Sequence, residues 1–189
     1  MGDVTVTQVT EPYTMEVDLA SLDFDGVNTY RIVAVSEDGT ILGGRMDPES
    51  GIFTLKTQET GSFTIAYVSE LRRIQMHIGS THIVDLAGNV TVPPMDVPPT
   101  IENGRTLLPV RFVAYAMEAS VYWNYETYTV TLIHGGQVLQ FAIGETAPGM
   151  DAPAQIINNR TMAPLRFVAE FFDAIVTWDE AEGRIEIIR

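Results

Sequence analysis

The chain has no cysteine in its 189 residues. That removes disulfides, thiolate metal sites and cysteine nucleophiles together. Lysine is almost missing too: Lys56 is the only one, beside ten arginines. Against these 11 bases stand 25 acids, for a formal charge of −14. The acidity forms no tail, because residues 1–73 and 74–189 each carry a net −7. An even negative field repels nucleic acid and anionic lipid, so neither is an expected partner. No apolar run approaches the roughly 20 residues of a membrane helix, and membrane insertion is not expected. No basic-then-apolar leader opens the chain. Met1-Gly2-Asp3 reads as the start of an excised piece, with any signal peptide expected upstream. Histidine is scarce, at His77, His82 and His134. His77 and His82 can face each other across Gly79-Ser80 with Asp85 close by, yet no zinc spacing is matched. The acidic turns at 23–28 and 47–50 do not follow a calcium-loop pattern. No Gly-rich phosphate loop, nucleophile elbow or Ser/His/Asp arrangement occurs. The expectation is no enzyme activity, no metal and no cofactor.

What is present is ordinary for a folded chain, with 46% hydrophobic and 19% charged residues. From Val4 to Val68 the signal is β. "YRIVAVS", "IFTLKT" and "SFTIAYV" are strand-like runs divided by the turn clusters "SEDGT", "DPESG" and "QETG". Such spacing predicts a small antiparallel sandwich.

Beyond Ile74 a repeat emerges. "IENGRTLLPVRFVAYAMEASVYW" (101–123) aligns without gaps on "IINNRTMAPLRFVAEFFDAIVTW" (156–178), 55 residues on, with 12 of 23 positions identical. A match of that density points to duplication of one supersecondary unit. Asn103-Gly104 and Asn158-Asn159 suit tight turns with positive φ. Pro109 and Pro164 fit the first position of a helix. Helices of about ten residues are predicted to follow, with Phe112, Ala116 and Ala119 on one face of the first and Phe167, Phe171 and Ala174 on one face of the second. Then comes a hairpin in which Val121 and Trp123, like Val176 and Trp178, share an inward face. "IQMHIGSTHIVDL" (74–86) reads as a hairpin before the first copy, and Ile143-Gly144 before the second echoes Ile78-Gly79.

The two stretches "ENGRTLLPVRFVA" and "INNRTMAPLRFVAE", each followed by a Val-x-Trp strand, resemble the copper amine oxidase N-terminal-like, or stalk, domain. Residues 1–72 more weakly resemble a β domain found in surface proteins of Firmicutes. The resemblance implies an accessory role outside the cell, at the surface of a Gram-positive bacterium. It also implies antiparallel sheet against helix. The expected class is α+β: an all-β antiparallel sandwich (1–72), then a duplicated strand–helix–hairpin region (73–189, copies 73–135 and 136–189) packed on helices. The implied function is a non-catalytic spacer, anchor or interaction module, the alternative being a carbohydrate-binding module. Partners would be other domains of the same polypeptide, a surface protein, or cell-wall or plant polysaccharide.

The family name draws the eye to Asn124-Tyr125-Glu126, because an Asn-Tyr-acid triplet is where those oxidases build their quinone. The chain lacks the His-x-His pair that copper requires, and the Thr expected three residues before the Asn is Val121. The second copy has Trp178-Asp179-Glu180 where the first has Trp123-Asn124-Tyr125. Tyr125 therefore reads as a turn residue. With Tyr122 and Tyr128 it makes either a platform for sugars or proteins, or plain hairpin packing. Arg111 and Arg166, placed against the helix dipole, should be pinned by ion pairs or carbonyls, as should Arg105 and Arg160; capture of an anionic ligand is the alternative. Trp123 and Trp178 are expected in the core.

Overall fold

Apolar–polar alternation sets most of this chain in strands, and the computed structural model describes residues 11–189. The expected strand signal at 4–10 lies outside the described residues. The first part holds β1 (Tyr13–Asp18), a 3-10 turn (Thr29–Arg31), β2 (Ile32–Ser36), β3 (Ile41–Gly43), β4 (Arg45–Met46), β5 (Ile52–Thr57) and β6 (Phe63–Tyr67). These form two three-stranded sheets, β1-β5-β4 and β3-β2-β6. Ile32 and Ala34 of one meet Phe53 and Leu55 of the other in a shared cluster. Gly44 is required there: at φ 95°, a Cβ would lie 2.1 Å from the Phe53 ring.

The rest of the chain runs β7 (Arg73–His77), β8 (Ile83–Asp85), β9 (Thr100–Glu102), β10 (Arg105–Pro109), α1 (Val110–Ala116), β11 (Ser120–Asn124), β12 (Thr129–His134), β13 (Gln137–Ala142), β14 (Gln155–Ile157), β15 (Arg160–Pro164), α2 (Leu165–Phe171), β16 (Ile175–Asp179) and β17 (Arg184–Ile188). The expected α+β class, with a duplicated region packed on helices, does not hold. Among the described residues there are only two α-helices, of seven residues each, and the bulk is strand in several small sheets. The helices are cut short by local geometry. Glu118 (φ 54°) and Asp173 (φ 50°) turn left-handed. Ala119 N–H then donates to Ala114 C=O (2.8 Å), and Ala174 N–H to Ala169 C=O (3.0 Å). This is the Schellman stop, built without glycine. Pro109 and Pro164 sit one residue earlier than expected, ending strands and occupying the N-cap.

The Asn-Gly and Asn-Asn pairs do adopt positive φ at both residues, closing the hairpins β9–β10 and β14–β15. These join edge to edge as β14-β15-β10-β9, with Leu108 opposite Ala163, Leu107 opposite Pro164 and Pro109 opposite Met162. On either side lies a further sheet. The hairpin β11–β12 is extended by β13, and the hairpin β16–β17 by β7 and then β8. β7 precedes β10 in the chain but pairs with β17 near its end, while β13 follows β12 directly and pairs with it. One cluster of buried residues unites both sides, from Ile74 and Met76 through Val113 and Phe141 to Val168 and Ile187.

The first part is welded on through β17 and β7. Val33, Leu71 and Ile188 share a small cluster with Ile41 and Ile175. Beside it Arg73 is fully buried; its Nη2 donates to Gly44 C=O (2.7 Å) and its Nη1 lies 3.3 Å from Glu186. Glu186, 4% exposed, also takes Arg45 at 2.8 Å. Burial pulls the Arg73 guanidinium below its ordinary pKa, and the Glu186 charge opposes that pull.

Candidate functional site

Two turns that the chain builds alike end in different residues. Asn124 Oδ1 accepts from the N–H groups of Glu126 (2.9 Å) and Thr127 (3.2 Å). Asp179 Oδ1 does the same for Ala181 (3.1 Å) and Glu182 (3.3 Å). Such Asx turns fix the chain without any ligand. The closing residue is left-handed in both: Gly183 at φ 60° and Tyr128 at φ 51°. Glycine adopts this freely, whereas any residue with a Cβ pays roughly 1–2 kcal/mol. Asn124-Tyr125-Glu126 is therefore a turn cap and two turn residues, with Tyr125 83% exposed.

Tyr125 and Tyr128 both stand edge-to-face to Trp123, with ring centroids 6.0 Å away. Tyr122, on the outward face of β11, is 59% exposed and Tyr128 60%. These rings border a groove of about 440 Å³ together with Pro109, Arg111 and Arg160. A second groove of about 330 Å³ is lined by the residues 55 positions away: Pro164, Arg166 and Trp178 from one segment, Arg105 and Thr106 from the other. Each groove therefore takes a helix start and a Val-x-Trp strand from one segment and an Arg-Thr pair from the other. The second groove has no tyrosines, because Thr177, Glu180 and Gly183 occupy those places. Its Arg166 and Trp178 also border a larger cleft against residues 36–42 and 56–59.

The arginines divide into two kinds. Arg160 Nε donates to Asp96 Oδ1 (3.0 Å), and Arg105 Nε lies 2.6 Å from Asp151 Oδ2. The Arg160 hydrogen bond holds the Asp96 carboxyl below its ordinary range, with burial opposing. Arg111 and Arg166 differ from the expected pinning. Both are exposed, and among the described residues neither side chain makes a hydrogen bond or ion pair. Asp96 and Asp151 were not anticipated as the partners of Arg160 and Arg105. The signal was available in Met95-Asp96-Val97-Pro98 and Met150-Asp151-Ala152-Pro153, again 55 apart.

The tryptophans are not core residues. Trp123 is half-buried and only flanks the main cluster, and Trp178 is 41% exposed. β11 and β16 are edge strands, and each tryptophan stands in the wall of a groove. The histidines do not converge. Asp85 directs its carboxylate at the N–H groups of Arg73, Ala87, Asn89 and Val90. His134 packs edge-to-face on Phe172 and accepts at Nε2 from Arg189. Burial, then the Arg189 charge, lowers its pKa below the ordinary value. No three or more metal-ligating side chains cluster among the described residues.

The family model for the copper amine oxidase N-terminal domain matches residues 86–187, and the chain belongs to that family. That domain is a non-catalytic part of its enzymes. No curated protein and no solved structure matches the chain.

Proposed function

We propose that this member of the copper amine oxidase N-terminal domain family is a spacer and interaction module of a larger exported protein, displayed at the surface of a Gram-positive bacterium. We further infer that residues 101–134 and 156–188 are two copies of one unit. The ungapped 55-residue offset supports this, since it relates the Asn-x turns, the Schellman stops and the Asp–Arg pairs alike.

One observation carries the spacer reading. The third strand of each hairpin comes from the chain segment that precedes the other. Neither unit completes its sheet alone, so the pair acts as one stiff body. The buried Arg73–Glu186–Arg45 contact extends that body into the first part. A stiff body that joins domains end to end holds its neighbours at fixed separation, which a flexible linker cannot do. The partners are then the other domains of the same polypeptide. The test is protease treatment of intact producing cells, followed by immunoblotting for this region. Loss of the signal without lysis is the expected result; protection until lysis overturns the surface assignment.

A further inference from the structure

We propose that the groove bordered by Tyr122, Trp123, Tyr125, Tyr128 and Arg111 binds a neutral polysaccharide. The proposal builds on the interaction role above but concerns the purified chain, wherever the protein resides. Its starting point is Tyr128. The same turn in the other hairpin closes on Gly183, and both residues are left-handed. The fold therefore does not ask for a side chain here, and glycine would be unstrained. Strained residues held by their surroundings gather at binding sites. Here that backbone places a ring edge-to-face with Trp123, at the same 6.0 Å as Tyr125.

Tyr125 at 83%, Tyr128 at 60% and Tyr122 at 59% are the most exposed aromatic rings of the described chain. Tyrosine offers a broad apolar face at small cost in side-chain freedom, with a hydroxyl at its tip. That combination suits the C–H face and hydroxyl rim of a pyranose. Arg111 has no partner among the described residues, and its five N–H donors are free to meet vicinal hydroxyls. The groove's volume of about 440 Å³ falls inside the usual range of small-molecule sites, roughly 300–1,000 Å³.

Charge decides the class of glycan. Asp96 pairs with Arg160 and also feels the Arg111 charge, so two arginines against one carboxylate leave the groove a single net positive charge. A single cation does not offset the field of a chain at −14, and a polyanion feels that field over its whole length. A neutral polymer does not. A peptide ligand is less well matched. It would add to the free edge of β11 through backbone hydrogen bonds, which do not call for the exposed rings. The aromatic rings are what sets this groove apart.

The test is native affinity electrophoresis of the whole chain in gels containing xylan, glucomannan or hydroxyethylcellulose, with polygalacturonate as the charged control. Retardation is expected in at least one neutral gel and not in polygalacturonate. Tyr125→Ala should weaken binding by roughly ten-fold, the scale of one lost aromatic stack. Tyr128→Gly should weaken it similarly without lowering the unfolding midpoint, because relief of the backbone strain offsets the lost contact with Trp123, and this separates binding from folding. Arg166→Ala, in the other groove, should bind as the parent does. The proposal is overturned by no retardation in any neutral gel, by retardation in polygalacturonate alone, or by tyrosine variants that bind normally. None of these outcomes bears on whether the module lies outside the cell, which the protease experiment decides separately.

Discussion

Tyr128 and Gly183 show how a single residue can separate function from fold. Both close an Asx turn with left-handed backbone, and only the tyrosine is strained. At Gly183 an added Cβ would approach nothing nearer than Ile78 Cβ at 3.7 Å. Space is thus available and only the backbone resists. Gly183→Ala should therefore cost roughly 1–2 kcal/mol by urea denaturation, all of it conformational. A change below a few tenths would mean that the turn relaxes, and the strain assigned to Tyr128 would lose its basis. At this scale the sequence was read correctly for Asn103-Gly104 and Asn158-Asn159, whose φ values follow from residue type. It misled at Trp123 and Trp178. Alternation says which face a side chain takes, but not whether that face is covered.

At the scale of elements, β12 ends on His134 against Phe172 of the opposite segment and the guanidinium of Arg189. The folded environment favours the neutral imidazole, so its pKa is depressed. The unfolded chain takes up a proton below about pH 6.5 while the native site resists it. More protons bind to the unfolded state, so this contribution is intact above about pH 6.5 and fades below it. His134→Gln should flatten the fall in stability between about pH 7 and pH 5, measured as the difference between parent and variant. Equal slopes would contradict the assigned environment. The helices carry a second lesson. The periodic faces Phe112–Ala116–Ala119 and Phe167–Phe171–Ala174 are present, yet each helix stops three residues early, at seven residues. Periodicity continues through a Schellman stop because the residue that packs beyond it, Ala119 or Ala174, is also apolar. The left-handed residue in between is Glu118 or Asp173, neither of which announces a stop as glycine would.

At the scale of the molecule, the junction of the two parts rests on a buried ion pair. Glu186→Ala would leave the fully buried Arg73 without its carboxylate and should cost roughly 3–5 kcal/mol. Glu186→Gln, which keeps an acceptor, should cost less. If both variants unfold like the parent by thermal melting, the junction is not held as described. No pattern along the chain revealed that β7 pairs with β17. "IQMHIGSTHIVDL" is legible as a hairpin, but its partner, β17, lies over 100 residues on. Pairing at that range is chosen by the shape of the assembled core. The echo of Ile78-Gly79 in Ile143-Gly144 was its one trace in the sequence.

The interlocking of the two halves is the central claim, and the chain carries its own reporters. It has two tryptophans, Trp123 in one half and Trp178 in the other. Trp178→Phe leaves Trp123 as the sole reporter, and Trp123→Phe leaves Trp178. Each is compared by fluorescence in urea with and without Ile74→Ala, a truncation in β7, which pairs with β17. Removing this fully buried side chain should cost roughly 2–5 kcal/mol. If the halves share one cooperative core, the truncation lowers the midpoint seen by both tryptophans, and by the same amount. A shift at Trp178 with none at Trp123 would show two independent beads and contradict the account.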